Sequence, residues 1–411
     1  MKELTLKIIT ADYTYIDGRY HKAYAVAFEK KIVAVAPVET IREQYPDAEW
    51  IEKVSHSVLY PGLINTHVHL EFSSNKTTLN YGSYLPWLHS VIEDRNHLTE
   101  TCTTEMMIEA CQSMMQSGVS TIGAISSMGL DLDACTTTPQ RVIFFNELIG
   151  SNPQTVDALY DDFIQRYNSS AEYTEKRVTP AIAIHAPYSV HPIVLKKAVA
   201  FAKEKQSLLS AHFLESQAER QWLTHSKGEF KSFFDTFFNQ NRATTTIEAF
   251  LSGFDGYPTH FTHCVHAKEK ELEKIAREKH TIAHCPRSNR LLGCGKLDLQ
   301  RLERLDIPFS LATDGLSSNN SLNIFDELRA ALMMHHETNL HMLSLRLIRA
   351  ITSDAAKILH LNCGQIAQEY EADFALIQLP EEPKREEDIA LWTILHTNQV
   401  TELYIEGERY I

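Results

Sequence analysis

Between residues 58 and 314, apolar runs of strand length alternate with longer stretches whose apolar positions recur at helical spacing. The runs fall at residues 58–65, 119–124, 141–147, 180–185, 208–212, 260–263, 281–284 and 308–314. A strand followed by an amphipathic helix, repeated, predicts a parallel sheet with helical crossovers. Eight such units over about 250 residues match the size of a closed (β/α)8 TIM barrel, whose reactive groups sit at the carboxyl ends of its strands. The competing arrangement is an open, doubly wound sheet. No GxGxxG or GxxxxGK[ST] loop follows any of the runs to cradle a phosphate, which weighs against it.

The two ends of the chain have another texture. Residues 3–9, 23–28 and 32–36 are short β-branched or alternating runs separated by polar turns such as Asp17-Gly18, and residues 373–379 and 402–405 repeat that texture. Turn-bounded runs of this kind predict strands. The expected architecture is therefore α/β: a barrel over residues 58–361, and a small β-sandwich domain built from residues 1–57 and 362–411.

Polar chemistry gathers where the apolar runs end. His67 and His69 follow the first run two residues apart, and residues i and i+2 of an extended strand face the same way, so both imidazoles can reach one ion. With 20 histidines in 411 residues, an HxH pair also arises by chance. His185, His212, His263 and His284 close later runs, and Asp314 closes the last. In a barrel those ends meet on one rim, so residues remote in sequence converge. His225 and the His335-His336 pair have no such position and receive no function.

Composition narrows the partners. Apolar residues make up 44% and charged residues 22%, enough for a packed core. The net charge of -14 would repel a nucleic-acid backbone or an anionic membrane. The start of the chain lacks the apolar stretch and cleavage site of a secretory signal, and no run of about 18 apolar residues occurs, so a cytoplasmic protein is expected. Seven cysteines without a CxxC pair read as buried or incidental thiols.

The segments PGLINTHVHLEF, HAPYS, HFLES, HCVHA and TDGLSSNNSLN resemble, in order, the serial motifs of the amidohydrolase superfamily, in its cytosine-deaminase and chlorohydrolase-like branch. ADFALIQL is similar to that branch's return strand near the C-terminus. The resemblance implies that His67, His69, His212 and Asp314 ligate a metal, while Glu215, His263 and Asp314 serve the reacting water and substrate. Binuclear relatives bridge two ions with a modified lysine on the fourth strand. Here PAIAIHAP offers His185 instead, so one divalent ion is expected: zinc, with iron or manganese compatible.

The loop SSNKTTLNYGSYLPWL resembles that of the aminodeoxyfutalosine deaminases of menaquinone synthesis. Deaminases of methylthioadenosine and S-adenosylhomocysteine carry an acidic residue beside the tryptophan of this loop, where Leu85-Pro86 precede Trp87 here. The resemblance implies a purine nucleoside substrate contacted by Trp87, Glu147, His185, Arg287 and Ser317. Arg287 is the expected grip on a benzoate, since a guanidinium takes a carboxylate with two hydrogen bonds. A structural role for Glu147 and a surface role for Arg287 remain open. So do deamination of methylthioadenosine, S-adenosylhomocysteine or adenosine, cyclic amide hydrolysis, and an inactive binding barrel. The run Phe230, Phe233, Phe234, Phe237 and Phe238 recurs at helical spacing and reads as core or as a contact in a homo-oligomer, for which a dimer is expected.

Overall fold

The computed structural model describes residues 6–152 and 154–411. Eight parallel strands pair in chain order: β1 (Leu63–Val68), β2 (Val119–Ser126), β3 (Arg141–Leu148), β4 (Val178–Ile184), β5 (Leu209–Phe213), β6 (His260–His263), β7 (Thr281–His284) and β8 (Phe309–Leu311). β1 and β8 stand at the two ends of that order, and side chains close the seam between them. Asn65 Nδ2 donates to Thr313 Oγ1 at 2.7 Å while its Oδ1 accepts from Thr313 N at 3.1 Å. Thr66 and Ser310 hydroxyls meet at 2.7 Å, and Asp314 N donates to the His67 carbonyl at 3.1 Å. The barrel expected from the alternating runs is thus present.

The first run does not form a single strand. Ser57–Pro61 pairs with Phe374–Gln378 in a sheet outside the barrel, and β1 begins after Gly62. A Cβ on Gly62 would lie 2.2 Å from Ser120 Oγ and 2.9 Å from Asp373 Cβ, so only glycine lets the chain pass between the two sheets. An apolar run records burial alone, and burial continues across both strands.

The termini form two further sheets, one of four strands and one of six. Ile9, Val26 and Phe28 from the first pack against Leu59, Phe374, Leu376 and Tyr404 from the second, as in a face-to-face sandwich. Of the strand expected at residues 3–9, residues 3–5 lie outside the described residues, and Lys7–Thr10 forms the strand. All seven cysteines are buried and unpaired. Among the described residues no helix is long and apolar enough to cross a membrane.

A buried ion pair fixes the barrel to this module. Arg141, opening β3, holds Asp373 at 2.6 Å, and its other nitrogen lies 3.6 Å from Glu406, which Arg177 also grips at 2.8 Å. Asp373 is fully buried, so removing its cation leaves an uncompensated charge in the interior. Arg141→Ala is expected to lower unfolding free energy by about 3 kcal/mol in urea denaturation, whereas a surface ion pair would contribute less than about 1 kcal/mol.

Candidate metal and catalytic site

At the carboxyl rim, β1 bulges where it carries its two histidines. Asn65 pairs with Ile122 and Val68 with Ala124, so three steps along β1 match two along β2. Gly123 accommodates the bulge, because a Cβ there would sit 2.2 Å from the Thr66 carbonyl oxygen. His67 and His69 emerge beside His212 from β5, with one ring nitrogen of each lying within 4.8 Å of the others. Asp314 comes from the turn just beyond β8, its Oδ1 lying 3.8 Å from His67 Nε2 and 3.6 Å from His69 Nε2.

A second group adjoins the first. His263 Nε2, at the end of β6, lies 3.6 Å from Glu215 Oε2 and 3.9 Å from Asp314 Oδ2. Leu214, His263 and Asp314 adopt left-handed backbone angles, with φ of 48°, 72° and 60°. Non-glycine residues hold such angles at a cost, and such strain clusters at functional sites.

Polar neighbours set the tautomer and aim of each ring. His212 Nδ1 donates to the His185 carbonyl at 3.0 Å, and His263 Nδ1 donates to Asn289 Oδ1 at 2.9 Å. His67 Nδ1 meets Thr262 Oγ1 at 3.1 Å. The Nε2 atoms of these rings are thereby left for the centre, and that of His67 is buried without a hydrogen-bond partner among the described residues. Ser288 and Ser318 donate to Asp314 Oδ2 at 2.8 and 2.9 Å, and Gly315 N donates to Oδ1 at 2.9 Å.

Burial decides the charge states. It holds the His67 imidazole well below its ordinary value, helped by repulsion from His212, His69 and His263, and it brings His263 down to about 4. Burial would raise the Asp314 carboxyl, but His69, His263, His212 and the Ser288 hydroxyl outweigh it and keep the group ionised. Glu215 goes the other way. Burial first, then the charges of Asp314 and Glu219, push its carboxyl well above the usual range. Neutral imidazoles and one carboxylate are the donor set that a divalent cation takes. The orphaned Nε2 of His67 fits that use, since a cation would satisfy it.

A model of the amidohydrolase family matches residues 58–409. This chain belongs to the amidohydrolase family. It is 45% identical over 387 residues to the aminodeoxyfutalosine deaminase of a Nitratiruptor species, covering 94% of this chain and 95% of the relative. It is 35% identical over 395 residues to an adenosine deaminase of Helicobacter pylori, covering 94% and 95%. The crystal structure of Helicobacter pylori aminofutalosine deaminase in complex with methylthio-coformycin superposes with a TM-score of 0.93 at 32% identity, covering 98% of this chain and 100% of that one.

The remaining residues expected at the amidohydrolase site divide. His185 lies at the rim, its Nδ1 2.5 Å from Ser189 Oγ and its ring 5.2 Å from that of His212. Trp87 donates to the Ser317 carbonyl at 2.7 Å, strapping the helix Tyr84–Thr101 to the loop after β8. Glu147 is fully buried: Oε2 accepts from Ser127 Oγ at 2.6 Å, and Oε1 lies 3.6 Å from His212 Nδ1. Burial would raise its carboxyl, but His185, His212 and His69 bring it below its ordinary value. Arg287 is not the free cation expected for a benzoate. Asp326, Glu327, the Ser321 carbonyl and Asn320 already hold its guanidinium. His284 Nε2 meets His335 Nε2 at 3.2 Å.

Several supporting residues were absent from the sequence reading. Ser288, Asn289, Thr262 and Ser127 carry no motif of their own. Glu71 accepts from the N–H groups of Ser127, Met128 and Leu130, fixing the loop after β2. Glu219 had a signal: Ser216-Gln-Ala-Glu219 has the form of a helix capping box. Ser216 Oγ accepts from Glu219 N at 3.1 Å, and the Glu219 carboxylate accepts from Leu214 N and Glu215 N at 3.1 and 2.9 Å.

Two outcomes follow for these supports. Gly123→Ala is expected to cost about 1–3 kcal/mol of stability in thermal or urea unfolding, since the methyl group must displace main chain. Burial raises Glu219 from 4.5 to about 7, against the pull of the Glu215 and Leu214 N–H groups. An acid raised on folding contributes stability that is complete below its unfolded value and lost as pH rises through the folded one. The stability of the native protein relative to Glu219→Gln should therefore fall between about pH 4.5 and about pH 7 in parallel urea titrations. A constant difference would mean that Glu219 stays ionised throughout.

Proposed function

We propose that this chain is a hydrolytic deaminase of adenine-type nucleosides, with aminodeoxyfutalosine as its substrate: water replaces the ring amino group and ammonia leaves. The observation that carries this reading is the juxtaposition of His67, His69, His212 and Asp314 with Glu215, a carboxyl that burial pushes well above its usual range. The relative at 45% identity supports the choice of substrate.

His67, His69, His212 and Asp314 would hold one divalent cation, for which zinc is our choice on a nitrogen-rich donor set. When bound, the cation supplies the acidification of water that hydrolysis at neutral pH requires. Glu215 acts as the proton carrier: its carboxyl donates to a ring nitrogen, making the amino-bearing carbon electrophilic, and takes a proton from the attacking water. His263, neutral and fixed by Asn289, orients that water through Nε2, and Asp314 accepts a proton on the way to the departing ammonia. His185, its Nδ1 held by Ser189, is assigned to the purine, with the Glu147 carboxylate nearby.

Adenosine or methylthioadenosine is the second reading. It is favoured by the adenosine deaminase at 35% identity and by the methylthio-coformycin held in the solved relative.

Glu215→Gln is expected to retain a stoichiometric metal ion by elemental analysis while ammonia release falls by about 10²–10⁴-fold. His67→Ala should lose the metal itself. A Glu215→Gln enzyme with native turnover would overturn the proton carrier, and His67→Ala with full metal content would overturn the ligand set.

A further inference from the structure

The pairing of Arg287 with Asp326 and Glu327 leaves the remote end of the proposed substrate without its expected cation. The helix Tyr84–Thr101, just beyond the first barrel strand, offers another. Its inward face runs through Tyr84, Leu88, Val91 and Leu98, at successive separations of four, three and seven residues that keep side chains on one side. Tyr84 is buried beside Tyr188, the two hydroxyls 2.9 Å apart, and burial and then the nearby Glu215 carboxyl push its phenol up. Leu98 is buried at the other end, where its carbonyl accepts from Ser74 Oγ at 2.8 Å.

Arg95 lies on this same face, four residues after Val91 and three before Leu98, yet it is exposed. At that turn the Arg95 side chain is therefore open to solvent. Eleven residues separate Arg95 from Tyr84, about 16 Å along the axis. A nucleoside carrying an aryl carboxylate on its ribose side can bridge such a span. The Arg95 carbonyl accepts from Thr99 Oγ1 at 3.0 Å, and among the described residues its guanidinium meets no carboxylate. The charge is also felt at the rim. Glu147, His212, His69 and, most weakly, Arg95 are the charged groups whose fields act on the His185 imidazole, so the Arg95 guanidinium lies within electrostatic range of the rim.

We propose that Arg95 is a specificity-determining residue that pairs with a carboxylate on the substrate end remote from the adenine ring. This rests on the nucleoside-deaminase reading above. A guanidinium suits the task because it stays charged and can give a carboxylate two parallel hydrogen bonds. Its exposure in the absence of ligand lets an incoming anion replace water around it.

The test compares the full-length, metal-loaded enzyme with Arg95→Ala and Arg95→Lys on two substrates that share the adenine ring: aminodeoxyfutalosine, which bears a benzoate, and methylthioadenosine, which bears no carboxylate. Arg95→Ala is expected to lose about ten- to a hundredfold in kcat/KM on the first, mainly through KM, and to be unchanged on the second. Arg95→Lys should recover part of the loss. Equal losses on both substrates, or none on either, would overturn the role of Arg95 alone. A native enzyme that deaminates methylthioadenosine but not aminodeoxyfutalosine would overturn Arg95 and the substrate together. A metal-loaded native enzyme that turns over neither would overturn the deaminase reading itself.

Discussion

The site depends on the seam where the first and last barrel strands meet. Asn65 and Thr313 exchange two hydrogen bonds there, and the main chain of Asp314 is pinned to the carbonyl of His67. These contacts bring the Asp314 carboxylate against the two histidines of β1, which precede it by most of the barrel's length. The fully buried Asn65 amide gives its hydrogen bonds to the other edge, so the seam is specific as well as closed. A looser closure would leave three imidazoles on one side of the rim and no anion to balance a cation.

Burial at the rim then sorts the titratable groups by type. Taking a charge out of water penalises its ionised form, so histidines become neutral and carboxyls tend to hold their protons. Asp314 and Glu147 escape that tendency because imidazoles surround them, whereas Glu215 faces other carboxylates and does not. Two acids a few ångströms apart are thereby pushed in opposite directions, as the proposed cation ligand and the proposed proton carrier require. The difference lies in neighbours alone, for the two side chains carry the same chemical group.

A layer of small polar residues holds this arrangement in place. Ser288 and Ser318 saturate one oxygen of Asp314, Asn289 fixes the ring of His263, and Glu219 grips the backbone that carries Glu215. Such partners orient ligands and tune their basicity, and their loss is felt in affinity and activity. The left-handed backbone at Leu214, His263 and Asp314 shows where the chain is bent away from comfortable geometry to present these groups.

Much was legible before any coordinates. Eight apolar runs with His67, His69, His212, His263 and Asp314 at their ends sufficed for the barrel and for the residues that converge, because strand length, alternation and chemistry at strand ends are local properties. The Ser216 to Glu219 spacing could also have been read, being a helix-start signal. The tertiary structure alone decided the rest. Gly62 divides a continuous apolar run between two sheets, since burial looks the same on both sides of the break. Arg287 turned out to be neutralised by Asp326 and Glu327, and His284 turned to His335, because which partner a side chain meets depends on loops packed from distant segments. Periodicity in a sequence reports which face is buried, whereas pairing across that face is set by three-dimensional register, which no single segment encodes.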